Sequence, residues 1–143
     1  MTQPVLCAVD ISNGLEDVKV VKRAKQIADL DGTGLDVITV LPDFGMSIVG
    51  TYFSSDHHAE AVSKAKKLLN DLVTAAIGDE ANAAARHIVA TGNAYEKILQ
   101  TAKSDSAQLI VIGAHKPDLK DYLLGPNAAR VVRHSECSVY VVR

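Results

Sequence analysis

Two hydrophobic rhythms alternate along this chain. Val5-Leu6-Cys7-Ala8-Val9 is a continuous apolar run closed by Asp10, the pattern of a short strand buried on both faces. Behind it Leu15, Val18, Val21, Ala24 and Ile27/Ala28 recur at helical spacing, as along one helix face. Asn13 and Glu16 stand at capping-box spacing at its start, and Asp31-Gly32 supplies a stop. Leu35 to Leu41 predicts a second strand ended by Pro42. Residues 42–56 carry no period and contain Gly45, Gly50, Ser54 and Ser55, which predicts a mobile loop. A second helix follows, with Val62, Ala65, Leu68/Leu69, Leu72 and Ala76 on one side. Arg86 to Thr91 predicts a third strand. Asn93 then caps a helix with Glu96 three residues on and Tyr95, Ile98, Leu99 and Ala102 as its buried stripe. Leu109-Ile110-Val111-Ile112 is a fourth strand. A loop bounded by Gly113 and Gly125 leads to a helix opening at Pro126, a residue suited to a first helical position. Ser138 to Val142 is the fifth strand.

The order is β-α-β-α-β-α-β-α-β, which implies a parallel sheet covered by helices on both faces. A length of 143 residues predicts one domain over 1–143. Apolar residues make up 48% and aromatics only 4%, so the core is aliphatic, as five doubly buried strands of Val, Ile and Leu require. Fifteen Lys and Arg against seventeen Asp and Glu leave a formal charge of −2. That balance argues against a nucleic-acid binder, which shows a net basic face. No apolar run reaches the length of a membrane span, and the start of the chain lacks the basic n-region of a signal peptide. Two cysteines, Cys7 and Cys137, give neither a disulfide framework nor metal spacing. A cytoplasmic protein without membrane insertion is expected.

In open parallel sheets a ligand binds beyond the carboxyl ends of the strands, near the point where strand order reverses. That rule selects Asp10, Val40 to Asp43, Thr91-Gly92 and the segment from Gly113. The last runs Gly113-Ala114-His115-Lys116-Pro117 and ends Leu123-Leu124-Gly125-Pro126-Asn127-Ala128. Glycines admit a ligand close to the backbone, and N–H groups at a helix start favour an anion. His115 and Lys116 add positive charge and Asn127 an amide, a set that fits a di- or triphosphate. A plain strand-to-helix connection is the equal alternative. Asp10 likewise has two readings, an acceptor for ribose hydroxyls or a cap for the following turn.

These same segments make the chain resemble the universal stress protein family over its whole length. Ala8-Val9-Asp10 resembles that family's first strand end and Thr39-Val40-Leu41-Pro42 its second. Val111-Ile112-Gly113 with Leu123-Leu124-Gly125-Pro126-Asn127-Ala128 resembles its glycine-rich ATP motif, and Val131 to Arg143 its final helix and strand. The resemblance implies a three-layer α/β/α fold with a five-stranded parallel sheet in order 3-2-1-4-5, of the adenine nucleotide alpha hydrolase-like type. It implies ATP as ligand, with or without Mg²⁺. Adenine would lie near Val40, the ribose near Asp10 and the phosphates along Gly113, Gly125 and Asn127, with Ala8, Ile112, His115, Lys116, Pro126 and Ala128 completing the expected binding site. It further implies a homodimer or higher oligomer through Ser138 to Val142, and a regulatory role in stress adaptation through a protein partner such as a membrane transport system.

Three departures stand out. Lys116 replaces the second glycine of the motif, the interval from Gly113 to Gly125 is one residue short of the commonest ATP-binding pattern, and Pro126 replaces a Ser or Thr. Proline there removes both a hydroxyl and a backbone donor. No P-loop, dinucleotide fingerprint or receiver-type phosphoacceptor is present. No catalytic residue and no metal ligand is assigned. His57-His58 lacks the i,i+4 spacing and carboxylate company of a metal site, and His87 and His134 are expected to be structural. Two alternatives stay beside the ATP-binding regulator: a slow ATP hydrolase using Asp118, Asp121 or His115, and a nucleotide-free dimeric interaction module.

Overall fold

The computed structural model describes residues 3–42, 55–114 and 125–143. β1 (Val5–Ala8), β2 (Leu35–Leu41), β3 (Arg86–Thr91), β4 (Leu109–Gly113) and β5 (Ser138–Val142) form one parallel sheet in the order β3-β2-β1-β4-β5. The expected topology is therefore the observed one. α1 (Val18–Asp31) and α2 (Ser55–Ala84) cover one face, α3 (Ala94–Ser104) and α4 (Gly125–His134) the other.

The alternation within each strand divides the core in two. Val5, Cys7, Val37 and Val111 point to α1 and α2, where Val20, Val21, Ala24, Leu69, Leu72 and Val73 meet them. Leu6, Ile38, Ile110 and Ile112 point to Ile98 and Ala102 of α3 and to Ala128 and Val131 of α4. β1 is buried at every residue because it has a strand on each side and a helix layer on each face. The expectation of five doubly buried strands holds only for the centre of the sheet. β3 and β5 are edges, and Ser138 and Tyr140 of β5 stay exposed.

The helix ends follow local chemistry. Gly32 closes α1 in the left-handed conformation at φ 64°, its N–H bonded to the carbonyls of Ala28 and Asp29. Asn93 caps α3 as expected, its side chain accepting from the Glu96 N–H at 3.4 Å. The start of α1 differs from expectation. Asn13 does not cap it; Ile11–Asn13 forms a separate 3-10 turn capped by Asp10, and the helix begins at Val18. Leu15 therefore lies outside the helical face and is 59% exposed.

α2 runs eight residues beyond the apolar period ending at Ala76, through a kink at Gly78 (φ 84°, ψ 170°). That conformation is essentially reserved for glycine. Past the kink Asn82 turns back on the helix, donating to Asn70 Oδ1 at 2.8 Å and Thr74 Oγ1 at 3.0 Å while its Oδ1 meets His87 Nε2 at 2.6 Å. His87 is thus a structural residue tying β3 to α2, and burial lowers its pKa. The loop expected over 42–56 falls, apart from its ends, outside the described residues.

Candidate functional site

β1 lies between β2 and β4, so strand order reverses at β1. Beyond the carboxyl ends of these strands a cleft of about 470 Å³ opens, within the size range of small-ligand sites. Its floor is Ala8 and Val9 at the end of β1 and Ile112 and Gly113 at the end of β4. Val40 and Leu41 of β2 form one wall, and Asn127 and Ala128 of α4 another. Among the expected site residues, Ala8, Asp10, Val40, Ile112, Gly113, Asn127 and Ala128 line this one cleft. Gly125 and Pro126 lie in the opening turn of α4, one residue earlier than the start expected at Pro126. His115 and Lys116, with Asp118 and Asp121, lie outside the described residues.

The backbone of β2 explains why Val40 belongs to the wall. The Ile38 carbonyl accepts from Val9 N–H at 2.9 Å, toward β1, and the Leu41 carbonyl accepts from Gly92 N–H at 2.9 Å, toward β3. Successive residues of a parallel strand present their N–H and C=O to alternate sides. Val40, two residues past Ile38, therefore directs both groups toward the β1 side. β1 pairs with β2 only as far as Ala8↔Ile38 and then leaves the sheet. The wall so offers a donor and an acceptor side by side above Val9.

Asp10 performs the capping role, and does so at the cleft. Its Oδ1 accepts from Ser12 N–H at 2.8 Å and Ser12 Oγ–H at 2.6 Å.

Asp17 was not singled out by the sequence patterning, yet it lines the cleft beside Asp10. It occupies the N-cap position of α1 without capping the helix. Instead its Oδ2 reaches back and accepts the Asp10 N–H at 2.7 Å. Burial raises its pKa above the ordinary aspartate value; the Asp10 N–H opposes this, the Asp10 and Glu16 carboxylates add to it, and Lys19 offsets part. The apolar period counted from Leu15 passes straight through it, so no sequence signal marks it.

Gly113 is small for a packing reason. A Cβ there would come 3.1 Å from Val20 Cγ2 and 3.5 Å from Asp17 Oδ1, and Val20 is fully buried. The glycine thus lets β4 end directly on the start of α1. Its neighbour Ala114 remains tied to the sheet, its N–H donating to the Val142 carbonyl at 2.7 Å. No Lys, Arg or His lines the cleft among the described residues; the start of α4 brings the partial positive charge of a helix N-terminus to it. Among those residues no three His, Cys, Asp or Glu side chains converge as a metal site.

A model of the universal stress protein family matches residues 1–143. The chain belongs to the universal stress protein family. It is 27% identical over 146 residues to Universal stress protein G of Shigella flexneri, covering both chains completely. Among solved structures it is similar to the universal stress protein from Archaeoglobus fulgidus in complex with dAMP, with a TM-score of 0.68, 18% identity and coverage of 99% of this chain and 98% of that one. It is also similar to a universal stress protein in complex with cAMP, with a TM-score of 0.66, 24% identity and coverage of 99% and 96%. No described helix is long and apolar enough to cross a membrane.

Proposed function

We propose that this universal stress protein binds ATP or a related adenine nucleotide in the cleft and acts as a nucleotide-dependent regulator, not as an enzyme. The observation that carries the reading is the Val40 backbone edge facing the same cleft as Asp10 and the start of α4. A donor–acceptor pair on a strand edge suits the Watson–Crick edge of adenine. Asp10 suits the ribose hydroxyls, and the opening turn of α4 with Asn127 suits phosphate. The two family structures holding dAMP and cAMP support this assignment. Hydrolysis would require a base and an oriented water at the γ-phosphate; the candidates for that role, Asp118, Asp121 and His115, lie outside the described residues, and the proposal is binding without turnover.

A regulator needs a surface that reports the bound state. The outer edge of β5, where Tyr140 is 41% exposed, suits pairing with a second copy, because an open strand edge is a template for another strand. A cytoplasmic homodimer acting in stress adaptation, through contact with a partner such as a membrane transport system, completes the proposal. Light scattering on the purified protein should return twice the monomer mass, and a strict monomer at high micromolar concentration would remove this part of it.

The test of nucleotide binding is equilibrium titration with AMP, ADP and ATP, with and without Mg²⁺, alongside chromatography of any co-purified nucleotide. Binding with no phosphate release over hours is expected. Asp10→Ala should weaken binding by roughly 10- to 100-fold, the worth of hydrogen bonds to a charged group, while the sheet stays folded. Absence of binding at millimolar nucleotide rejects the proposal, and unchanged affinity in the variant rejects the ribose assignment.

A further inference from the structure

We propose that Asp17 is a positioning and charge-selecting residue of this cleft: its carboxylate fixes the backbone of Asp10, and its charge, set beside Gly113, disfavours ligands with additional phosphates. The proposal rests on the nucleotide reading above and goes beyond it by assigning a second carboxylate and a preference for the less charged member of a nucleotide series.

The geometry gives the first half. Asp17 spends its side chain on the Asp10 N–H, at 2.7 Å, although the N-cap position it occupies leaves helix N–H groups to satisfy. Asp10 Oδ1 meanwhile holds Ser12 N–H and Oγ–H. The Asp10 carboxylate is thereby anchored at its backbone by α1 and at its side chain by the 3-10 turn. Removing the Asp17 acceptor releases the backbone anchor.

Charge gives the second half. Asp10 and Asp17 both line the cleft, without a Lys, Arg or His among the described lining residues. Asp17 approaches Gly113 closely enough that a Cβ on the glycine would lie 3.5 Å from its Oδ1. Gly113 ends β4, where the segment toward α4 departs. Under the nucleotide reading, phosphates that leave a ribose held at Asp10 start beside this carboxylate, which lies 2.7 Å from the Asp10 nitrogen. The groups acting on it are Asp10 from the end of β1 and Glu16 and Lys19 from its own segment, and its charge in turn reaches the buried Cys7 thiol of β1. Repulsion from a fixed charge scales with ligand charge, so a triphosphate is penalised more than a monophosphate.

Asp17→Asn separates the two halves, because an amide oxygen can still accept the Asp10 N–H but carries no charge. AMP and ATP affinities, both without metal, are to be measured on the full chain and on this variant by calorimetry. The variant should tighten ATP by about five- to tenfold and AMP by no more than about twofold. In the ligand-free wild type the Asp10 amide proton should shift with pH as Asp17 titrates, above the ordinary aspartate range, and this response should vanish in the variant. Wild type that binds both ligands while the variant shifts them equally, or weakens both, overturns the inference and leaves the nucleotide reading standing. Wild type that binds neither overturns the reading and the selectivity with it. An Asp10 amide insensitive to Asp17 overturns the positioning role in either case.

Discussion

The stability of this protein is expected to fall by about 2–3 kcal/mol between about pH 4 and about pH 7 through one pair of carboxylates. Asp36, near the start of β2, and Asp105, at the C-cap of α3, share one cation, the Arg86 guanidinium at 3.7 and 3.1 Å. Their side chains are only 11% and 10% exposed, and one Asp105 oxygen, Oδ2, is buried without a hydrogen-bond partner among the described residues. Burial first, then the hydrogen bond and charge of Asp105, push the Asp36 pKa from 3.8 to about 6, against the pull of Arg86. The folded value is above the unfolded one. The proton on Asp36 therefore stabilises the fold fully below about pH 4, and that contribution is lost progressively as pH rises to about 6. Asp17 contributes in the same direction through its own raised pKa.

The background of other carboxylates calls for a difference measurement. Urea unfolding of wild type and Asp36→Asn across this range should show the variant gaining on the wild type steadily from about pH 4 and levelling off above about pH 6. A stability difference that stays constant from acid to neutral pH would show that Asp36 keeps an ordinary aspartate pKa in the folded protein. Asp36 and Arg86 sit at the opposite ends of their strands from the cleft, so nucleotide affinity should be untouched.

Neither that pair nor Asp17 was legible in the sequence, and the reason is the same. Both depend on chain ends meeting across the sheet, while hydrophobic period reports only which face a residue takes. Asp36 follows the first residue of a strand, a common place for a polar side chain, and nothing local says that α3 ends above it. Asp17 was obscured because Asn13 and Glu16 satisfy the capping-box spacing. Gly14, at φ 65°, breaks the chain into a separate 3-10 turn before the helix, and Asp10 caps that turn instead.

What was legible follows from burial. A strand with neighbours on both sides and helices on both faces has no polar position to spare, so β1 and β4 announce themselves as apolar runs. The cleft was legible for a related reason. Once the strand order is fixed, the ligand site falls at its reversal, and Ala8, Asp10, Val40, Ile112 and Gly113 reach it by ending their strands there. The edge strands were over-read: Val139 and Val141 turn inward, but Tyr140 between them faces solvent. An apolar residue at an edge is what a second copy of the chain would cover.

The division of the core by the sheet makes the other large prediction. Ile110 and Val111 are consecutive, both fully buried, and belong to different cores: Ile110 faces α3 and α4, Val111 faces α1 and α2. Ile110→Ala should cost about 3–4 kcal/mol and Val111→Ala about 2 kcal/mol, the transfer and cavity terms of buried aliphatic groups. Neighbouring substitutions usually couple because they share a cavity or a partner. Here the backbone of β4 separates the two cavities, so the double variant should lose the sum of the two within about 0.5 kcal/mol. A loss of about 5–6 kcal/mol rivals the whole stability of an ordinary domain, so the measurement belongs in a stabilising osmolyte, with wild type and single variants in the same solvent. A double variant that loses clearly less than the sum would mean that one core relaxes into the space left by the other. The sheet would then not be the rigid partition that holds the ends of β1, β2 and β4 in place around the cleft.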